Sequence, residues 1–402
     1  MNIIVMKFGG TSLATTDLII KASKKVEKEA KKSKVIVVLS AMAGVTNSLV
    51  NKVNNLNEIN SENTDVVLSS GEQVSVGLMS LYLNKRGVKT RSWLGWQIPI
   101  VTSNDFGKSR IVSISKKNIL KSFKKYKVAV VAGFQGVTKD KKISTLGRGG
   151  SDTTAVALTA AFNAKQCDIY TDVEGVFTAN PSVVKKAKKI DKITHEEMLE
   201  MSSLGAKVLQ TRSVELAMKY GVPIQVLSSQ IDKPGTFVVN EEKEMEKETV
   251  SGISFSKNEA KITINGLPDK PGVSAGIFGP LADSNINVDM IVQNVSQDGK
   301  KANLTFTLPQ SELRTAEEIL KKIQKQKKFI SFNTDEKVAK VSVIGMGMRS
   351  QAGVAQKMFK KLGQKNVNIL AISTSEIKIS VLIKEKYTEI AVKSLHSVYG
   401  LD

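Results

Sequence analysis

Runs of consecutive apolar residues alternate with stretches of helical spacing over the first 240 residues of the chain. Apolar runs occupy Ile3–Phe8, Val35–Leu39 and Val128–Val131, whereas Gly71–Lys85 and Asp152–Ala164 have helical spacing. Apolar runs without alternation are typical of strands buried on both faces, and their alternation with helices predicts a mostly parallel sheet between two helical layers. We expect the ligand site of such a domain at the carboxyl ends of its strands.

A polar stretch rich in glutamate and lysine follows this region. Residues 240–248 contain almost no apolar side chains, so they have little to contribute to a buried core. We interpret 240–252 as a charged linker that follows a first domain at 1–239.

The remainder of the chain contains an internal repeat with an offset of 81 residues and no gap. Gly272-Val273 aligns with Gly353-Val354, and Asn285–Val288 then aligns with Asn366–Ile369. Each copy reads as strand, glycine-containing turn, amphipathic helix, asparagine-rich turn and strand. A unit of this size cannot bury both faces of its own sheet, so the copies are expected to pack on each other or on another chain. We predict two small domains, at 253–335 and 336–402.

Composition is typical of a multidomain protein in a reducing compartment. The 402 residues, 41% of them hydrophobic, suggest two or three domains. The single cysteine, Cys167, excludes an internal disulfide framework and favours the cytoplasm. With only His195 and His396, a histidine-based metal site is not expected, although a magnesium-nucleotide site is compatible with the sequence. No run of 18 apolar residues occurs and Met1–Lys7 reads as a strand, so neither a membrane span nor a signal peptide is expected.

The net charge of +21 raises the question of a nucleic-acid partner. Only seven of the 59 basic residues are arginine, the residue on which base and phosphate recognition most depends. The lysines are scattered over predicted helix faces, as at Lys21, Lys24 and Lys28. We therefore interpret the charge as a solvated lysine-rich surface, and expect no nucleic-acid or membrane partner.

Two glycine-rich turns combine with cations in a way that suits anionic ligands. Lys7-Phe8-Gly9-Gly10-Thr11-Ser12 ends the first strand, and Arg148-Gly149-Gly150-Ser151-Asp152 opens a helix. Glycines let backbone N–H groups approach an anion, a helix N-terminus adds a positive dipole, and an arginine can fork a carboxylate. The plainer alternatives are an ordinary turn after the strand and an N-cap at Ser151 or Asp152. Capping alone does not explain the arginine and the paired glycines.

Small, hydroxyl-bearing or charged residues follow other predicted strands as well. Ser40–Thr46 and Thr171-Asp172 are two such segments, and Ser69–Gln73 opens a further helix, where capping is an equally good explanation. The chain shows no Ser–His–Asp or Cys–His set, whereas lysines, anion cradles and an arginine suit phosphoryl transfer, which depends on positioning and charge neutralisation. Arg148 indicates that the acceptor molecule carries a carboxylate.

These motifs, together with Ser203–Leu209, resemble the aspartate kinase signatures of the amino acid kinase fold. The repeat resembles paired ACT regulatory domains, most closely at Asp269–Val273, Asn287–Asn294 and Ser373–Ser380. The resemblance covers nearly the whole chain and its motifs are specific in combination. It implies a three-layer α/β/α amino acid kinase fold with a mostly parallel sheet, followed by two ferredoxin-like βαββαβ ACT domains.

The resemblance also implies a reaction. The γ-phosphate of ATP, bound as Mg-ATP, would be transferred to the side-chain carboxylate of L-aspartate to give 4-phospho-L-aspartate, the first step toward lysine, threonine and methionine. Lysine and/or threonine would inhibit through the ACT domains, which would also join a homodimer or larger homo-oligomer. The enzyme is expected to be cytoplasmic and monofunctional.

By the same resemblance, individual residues receive roles. The candidate catalytic residues are Lys7 and Lys207, which would neutralise the phosphates, and Asp152, which would organise the lysines or the metal. The candidate substrate-binding residues, with Glu72 facing the ammonium and Arg148 a carboxylate, are Thr46, Glu72, Arg148, Gly149, Gly150 and Ser151. The candidate nucleotide-binding residues are Lys7, Phe8, Gly9, Gly10, Ser40, Thr171, Asp172, Phe177, Thr178, Ala179, Asn180, Pro181, Ser182 and Lys207.

The two copies of the repeat are not equivalent as effector sites. The offset places Leu370 opposite Asp289 and Thr374 opposite Gln293, so the second copy lacks these polar groups. We expect the inhibitor contacts to centre on the first copy, with the second copy contributing backbone groups. The candidate allosteric residues are Asp269, Lys270, Pro271, Gly272, Val273, Ser274, Asn287, Val288, Asp289, Gln293, Asn366 and Val367.

Two alternatives remain. Another amino acid kinase, for glutamate or acetylglutamate, has the same scaffold, although Glu72 would be left without a partner by an acetylated substrate. A non-catalytic amino-acid-sensing subunit is supported only by Asn180 and Ser182, which replace the acid and the arginine usual in the family. Lys7, Arg148, Asp152 and Lys207 argue against that second alternative.

Overall fold

The computed structural model describes residues 1–54, 56, 61–204, 208–241, 249–297, 299–326, 328–349 and 351–402. The chain divides into two compact units. The first comprises Met1–Val176, Lys189–Ser202 and the described part of Lys207–Glu244. The second comprises Phe177–Lys188 and the described parts of Ser203–Ala206 and Met245–Asp402.

In the first unit, strands and helices alternate as the apolar pattern predicts. The strands are β1 Ile3–Phe8, β2 Lys34–Leu39, β3 Thr90–Trp93, β4 Ile100–Thr102, β5 Ile111–Ile114, β6 Val128–Ala132, β7 Gln135–Thr138, β8 Ile143–Thr145, β9 Cys167–Thr171, β10 Lys192–Thr194, β11 Ile224–Ser228 and β12 Thr236–Val239. The helices are α1 Thr16–Ala30, α2 Val45–Asn54, α3 Glu62–Leu68, α4 Ser70–Lys85, α5 Lys117–Ser122, α6 Gly150–Phe162, α7 His195–Ser203 and α8 Thr211–Tyr220.

The described strands of this unit form one large, mostly parallel sheet and one small sheet. The order in the large sheet is β10-β12-β11-β9-β1-β2-β6-β3, and only the β11–β12 pair is antiparallel. The small sheet has the order β5-β4-β7-β8. The parallel register places Phe8 level with Leu39 on one side and with Tyr170 on the other, so neighbouring strands end together. The predicted α/β fold is confirmed, and the loops that leave these strands lie at one edge.

Side chains that alternate along the strands build the core of this unit. Met6 and Phe8 point into an apolar cluster that also contains Ile19 of α1 and Met79 of α4. Helix α6 contacts β1 and α8, and the alternation of strand side chains assigns it to the other face of the sheet. The sheet therefore lies between two helical layers, with α1 and α4 on one face and α6 on the other.

The run Glu62–Lys85, which contains α3 and α4, is long and apolar enough to cross a membrane by length and composition alone. Half of its most apolar window is buried inside the protein. Its Val76, Met79 and Leu83 recur at helical spacing and belong to the apolar cluster described above. These contacts are those of a core helix.

The second unit contains one antiparallel sheet with helices. Its strands are β13 Gly252–Pro268, β14 Asp289–Val295, β15 Lys301–Pro309, β16 Ser331–Ile344, β17 Ile369–Thr374 and β18 Lys378–Lys384. Its helices are α9 Val273–Asp283, α10 Leu313–Lys325, α11 Val354–Gln364 and α12 Thr388–Val398. The strand order among the described residues is β14-β15-β13-β16-β18-β17. The order around α9 and α10, and again around α11 and α12, is the ferredoxin-like arrangement predicted from the repeat.

Two long strands are shared between the copies of the repeat, which corrects the predicted domain boundaries. The second half of β13 pairs with the first half of β16, and Gly252–Ser256 at the start of β13 pairs with Lys340–Ile344 at the end of β16. Val250 and Ile253 are buried in the core of the second copy, not the first. The predicted boundary at 252/253 is therefore wrong, because the second copy takes its fourth strand from sequence that precedes the first copy.

The segment Phe177–Lys188 is a second correction. It was predicted to lie within the first domain, at 1–239, but it belongs to the second unit. Ala179 and Val184 from this segment are buried beside Val343 and Leu395 of the second copy. Burial of these two side chains holds the segment there, a long-range effect that no local pattern reveals. Most of the predicted linker, residues 242–248, lies outside the described residues.

Candidate active site

The ends of the parallel strands bring the predicted phosphate-binding motif together with the start of α6. Lys7 is the penultimate residue of β1, and Asp152 lies in the first turn of α6. The Lys7 Nζ and Asp152 Oδ1 atoms are 2.5 Å apart, and the two side chains are only 10% and 9% exposed. The pair thus places a buried ammonium, compensated by a carboxylate, at the carboxyl edge of the sheet.

The two glycines after β1 each have a steric reason. A Cβ on Gly9 would lie 3.3 Å from the Lys7 Nζ atom, so glycine keeps the space beside the ammonium open. A Cβ on Gly10 would lie 2.9 Å from the carbonyl oxygen of Ala41, so glycine allows the loops after β1 and β2 to approach each other. Of the two glycines, Gly9 is the one beside the Lys7 ammonium, so a side chain there would crowd an anion bound at Lys7.

Glu72 is a buried carboxylate with an unused acceptor. It lies in the first turn of α4 and is 3% exposed. Its Oε1 accepts a hydrogen bond from the Ala41 N–H at 3.0 Å, whereas Oε2 has no partner within the described part of the chain. Burial raises the pKa of Glu72 to about 7, although the Ala41 N–H opposes this shift. Such a group is completed by a cation that binds next to it.

The turn before α6 carries the predicted substrate arginine. Arg148 is exposed and makes no hydrogen bond or ion pair among the described residues. Gly149 has φ +70°, and a Cβ there would lie 2.2 Å from Cγ of Gln210. Ser151 packs against Gly133, where a Cβ would lie 2.7 Å from the Ser151 Oγ. The glycines on both sides of Arg148 therefore serve close packing as well as the turn, and the guanidinium is free for a ligand.

The remaining predicted residues of this unit lie around the same strand ends. Ser40 follows β2, and its N–H donates to the Phe8 carbonyl at 3.2 Å. Thr46 is half-buried in the first turn of α2. Thr171 ends β9, and its hydroxyl donates to the Asp172 carboxylate at 3.1 Å. Lys207 lies outside the described residues.

Two signals at this site escaped the sequence analysis. The Ala41 N–H, which orients Glu72, is a backbone group and leaves no trace in residue type. Gly133 resembled an ordinary turn glycine after β6, but its lack of a side chain admits Ser151. No cluster of three or more His, Cys, Asp or Glu side chains suited to a metal ion occurs in the described ranges.

Models of known families and full-length relatives match this chain. Residues 2–228 match the amino acid kinase family, and residues 262–325 and 341–399 each match an ACT domain. An aspartate kinase of Pseudomonas fluorescens is 49% identical over 100% of this chain and 98% of its own length. An aspartokinase of Helicobacter pylori is 44% identical over the full length of both chains. The chain belongs to the aspartate kinases.

Solved structures of an aspartate kinase from Escherichia coli are similar over the whole chain. Aspartokinase III in complex with aspartate and ADP superposes with a TM-score of 0.81 at 27% identity, covering 99% of both chains. The same enzyme in complex with lysine and aspartate gives a TM-score of 0.79 at 26% identity, again covering 99% of both. The fold and the family membership thus agree with the local geometry.

In this member of the aspartate kinase family, some predicted nucleotide-binding side chains are used elsewhere. The Thr178 hydroxyl is 2.9 Å from His396 Nε2 and accepts from the Lys188 N–H at 3.0 Å. Ala179 is 3% exposed in the core of the second unit. These contacts occupy both side chains within the second unit, and their predicted nucleotide contacts stay a prediction. The prediction for Phe177, Asn180, Pro181 and Ser182, which are in the second unit, stands as a prediction.

The predicted effector residues of the first ACT copy are partly brought together. Gly272, with φ +85°, precedes α9, and the hydroxyl of Ser274 in the first turn of that helix donates to Oε1 of Gln293 on β14 at 3.1 Å. The Asn287 N–H donates to Glu312 Oε2 at 3.3 Å. In the second copy, Asn366 adopts φ +54° in the turn after α11. In the first copy, the polar groups of this set lie at the start of α9, in the turn before it, and on β14 and the residues that precede it.

Asp289 has a partner that sequence reasoning missed. Its carboxylate is hydrogen-bonded to the ammonium of Lys340 on β16, which is buried and also lies 3.3 Å from Glu259. Burial alone would raise the pKa of Asp289, but the hydrogen bond and charge of Lys340 lower it overall. The alternation of side chains on β16 places Lys340 among apolar residues, where a strand pattern predicts no lysine.

Proposed function

We propose that this chain transfers the γ-phosphate of ATP to the side-chain carboxylate of L-aspartate and so forms 4-phospho-L-aspartate. One observation carries the proposal: a buried Lys7–Asp152 pair joins the end of β1 to the start of α6, and buried Glu72 at the start of α4 has an Oε2 atom without a partner among the described residues. The first suits a polyphosphate and the second suits an amine. Membership of the aspartate kinase family supports the same reaction.

The polyphosphate part of the site works by charge neutralisation. The Lys7 ammonium offsets the charge that builds up on the transferred phosphoryl group, and Asp152 holds that ammonium in place when the site is empty. Gly9 and Gly10 let backbone N–H groups line the phosphates, with Phe8, Ser40, Thr171 and Asp172 around the nucleotide. Lys207 is proposed as the second phosphate-binding lysine. Mg²⁺ enters with ATP, and the oxygen donors it prefers are the phosphates and the Asp152 carboxylate.

The amino acid part of the site works by paired recognition of two charges. Glu72 binds the substrate ammonium through the oxygen that has no partner among the described residues, and Arg148 binds a carboxylate through two parallel hydrogen bonds. Thr46, Gly149, Gly150 and Ser151 complete the pocket. A substrate with an acetylated nitrogen would leave Glu72 buried and unpaired, which disfavours acetylglutamate.

The second unit is proposed to sense an end product. Lysine and/or threonine would bind through Asp269–Ser274, Asn287–Asp289 and Gln293, with the backbone of Asn366 and Val367, and would shift the equilibrium between active and inactive kinase states. Ile291 and Val295 on the edge strand β14 are 52% and 51% exposed, which suits assembly of a homodimer or larger homo-oligomer through this unit. We place the enzyme in the cytoplasm, since its one cysteine, Cys167, is buried and unpaired.

A hydroxamate assay tests the catalytic proposal directly. Purified enzyme with Mg-ATP and hydroxylamine should form aspartyl hydroxamate from L-aspartate, with much lower rates from L-glutamate or N-acetyl-L-glutamate. Absence of product with L-aspartate, or a preference for either of the other substrates, would overturn the proposal. Adding lysine and threonine, singly and together, tests the sensing role in the same assay.

A further inference from the structure

The turn that carries Arg148 is closed by the backbone hydrogen bond from the Gly150 N–H to the Gly147 carbonyl at 3.0 Å. Gly147 and Gly149 flank the arginine with φ +76° and +70°, and the side chain of Arg148 contacts no other described residue through a hydrogen bond or ion pair. A Cβ at Gly147 would lie 2.9 Å from the Gly107 carbonyl oxygen and one at Gly149 2.2 Å from Cγ of Gln210, so the turn is placed by the segments that pack against it. The position of the guanidinium therefore depends on what holds the strand end before it.

A buried carboxylate holds that strand end from one side. Asp65 on α3 is fully buried and accepts from the Thr145 N–H at 2.6 Å and from the Thr145 hydroxyl at 2.7 Å. It also accepts from the Gly107 N–H, which lies 3.1 Å from each of its oxygens. One side chain thus joins α3, the loop after β4 and the last residue of β8, three residues before Arg148.

A guanidinium holds the next residue from another side. Arg212 in the first turn of α8 donates through Nη1 to the Leu146 carbonyl at 2.6 Å and through Nη2 to the Ser109 carbonyl at 2.8 Å. The Ser109 N–H in turn donates to the Thr145 carbonyl at 2.9 Å. Residues 145–146 are therefore hydrogen-bonded to the loop at 107–109, and Asp65 and Arg212 each bind both segments.

We propose that Asp65 and Arg212 are positioning residues for the kinase reaction. They hold the Thr145-Leu146 strand end, and through it they present Arg148 to the substrate carboxylate. Neither touches substrate. The inference rests on the proposed role of Arg148, and it assigns a function to a buried carboxylate and a half-buried guanidinium that the reaction itself does not use. Holding a binding group to within an ångström is worth one to two orders of magnitude in productive binding.

The substitution Arg212→Lys tests the proposal. A lysine ammonium keeps the charge but cannot fork two carbonyls that belong to different loops. We expect the KM for aspartate to rise about tenfold, with the KM for ATP changed by less than about twofold. Arg86→Lys is the matched control, because Arg86 is an exposed arginine of the same unit bound only to Glu27, and it should leave both constants unchanged.

A double-mutant cycle with Arg148→Ala separates positioning from general stability. If Arg212 acts through Arg148, adding Arg212→Lys to Arg148→Ala should raise the KM for aspartate no further. An additive rise, an equal rise in both KM values, or an unchanged KM for aspartate in Arg212→Lys would each overturn the inference. Should Arg212→Lys not fold, Thr145→Val removes only the hydroxyl bond to Asp65 and is expected to shift the same KM in the same direction. A wild-type enzyme that turns over no aspartate would overturn the proposed function and this inference together, whereas turnover with unchanged variants overturns the inference alone.

Discussion

At the scale of single residues, the site is a set of buried charges, each lacking something that a substrate supplies. Lys7 is compensated by Asp152 and Glu72 by one backbone N–H, and both side chains are more than nine-tenths buried. Burying charge is expensive, so partial compensation lets the free protein tolerate groups that a ligand then completes.

Lys7→Ala removes the ammonium that neutralises the phosphates. We expect kcat to fall by more than about a hundredfold, in line with the loss of one preorganised group that stabilises transition-state charge. Aspartate binding, measured by calorimetry without nucleotide, should remain within about twofold, because the amino acid contacts lie elsewhere. Lys21→Ala on the exposed side of α1 is the control and should change neither. Retained turnover in Lys7→Ala would show that another cation performs this role.

Glu72→Gln tests the buried carboxylate through pH. Since burial raises the pKa of Glu72 to about 7 from 4.5, the folded state binds more protons than the unfolded state between these values. Stability from this group is therefore present below pH 4.5 and lost as pH rises to about 7. Relative to wild type, Glu72→Gln should gain in melting temperature at pH 8 and not at pH 4, and it should bind aspartate more weakly at pH 8. A loss of melting temperature at pH 8 would contradict this account.

At the scale of elements, Gly149, the residue before α6, shows how steric contact and backbone conformation both contribute to the cost of a substitution. Gly149→Ala must place a Cβ in the left-handed region and 2.2 Å from Gln210, whereas Gly87→Ala, at φ +81°, meets no atom within 4 Å. We expect Gly87→Ala to cost about 1 kcal/mol of unfolding free energy from conformation alone, and Gly149→Ala to cost at least about 2 kcal/mol more. Urea denaturation at one pH compares the two. Equal losses would mean that Gln210 moves aside without cost.

At the scale of the whole molecule, a buried histidine fastens Phe177–Lys188 into the second unit. His396 Nε2 lies 2.9 Å from the Thr178 hydroxyl and Nδ1 lies 2.8 Å from Asp402 Oδ1. His396→Ala removes one partner from each of these groups, leaving Thr178 with the Lys188 N–H and Asp402 with the Ser397 hydroxyl, and it opens a cavity. We therefore expect a loss of about 2–4 kcal/mol in unfolding free energy. Lys393→Ala on the same helix, which breaks only an exposed pair with Glu389, should cost less than about 0.5 kcal/mol. Similar losses in denaturant titrations of the two variants would show that the segment is held by its apolar residues alone.

Local pattern determined a large part of this protein. The apolar runs at β1, β2 and β6 are buried on both faces in any arrangement that satisfies their backbone, so they dictated a parallel sheet with its site at the strand ends. The 81-residue offset determined the second half in the same way, because a copy of that size needs a partner to bury its sheet. The glycines that follow Lys7 and Arg148 were enough to locate the candidate site in the sequence.

Tertiary structure decided what depends on residues distant in sequence. The sharing of β13 and β16 between the ACT copies follows from distant pairs such as Gly252 with Ile344, and the burial of Ala179 and Val184 follows from a core built mainly of residues between Val341 and Leu401. The unpartnered oxygen of Glu72, the pairing of Lys340 with Asp289, and the hydrogen bonds from Asp65 and Arg212 to the segment before Arg148 each depend on whether a polar group of another element lies within hydrogen-bonding distance. Such distances are set by packing, and residue type along the chain carries no record of them.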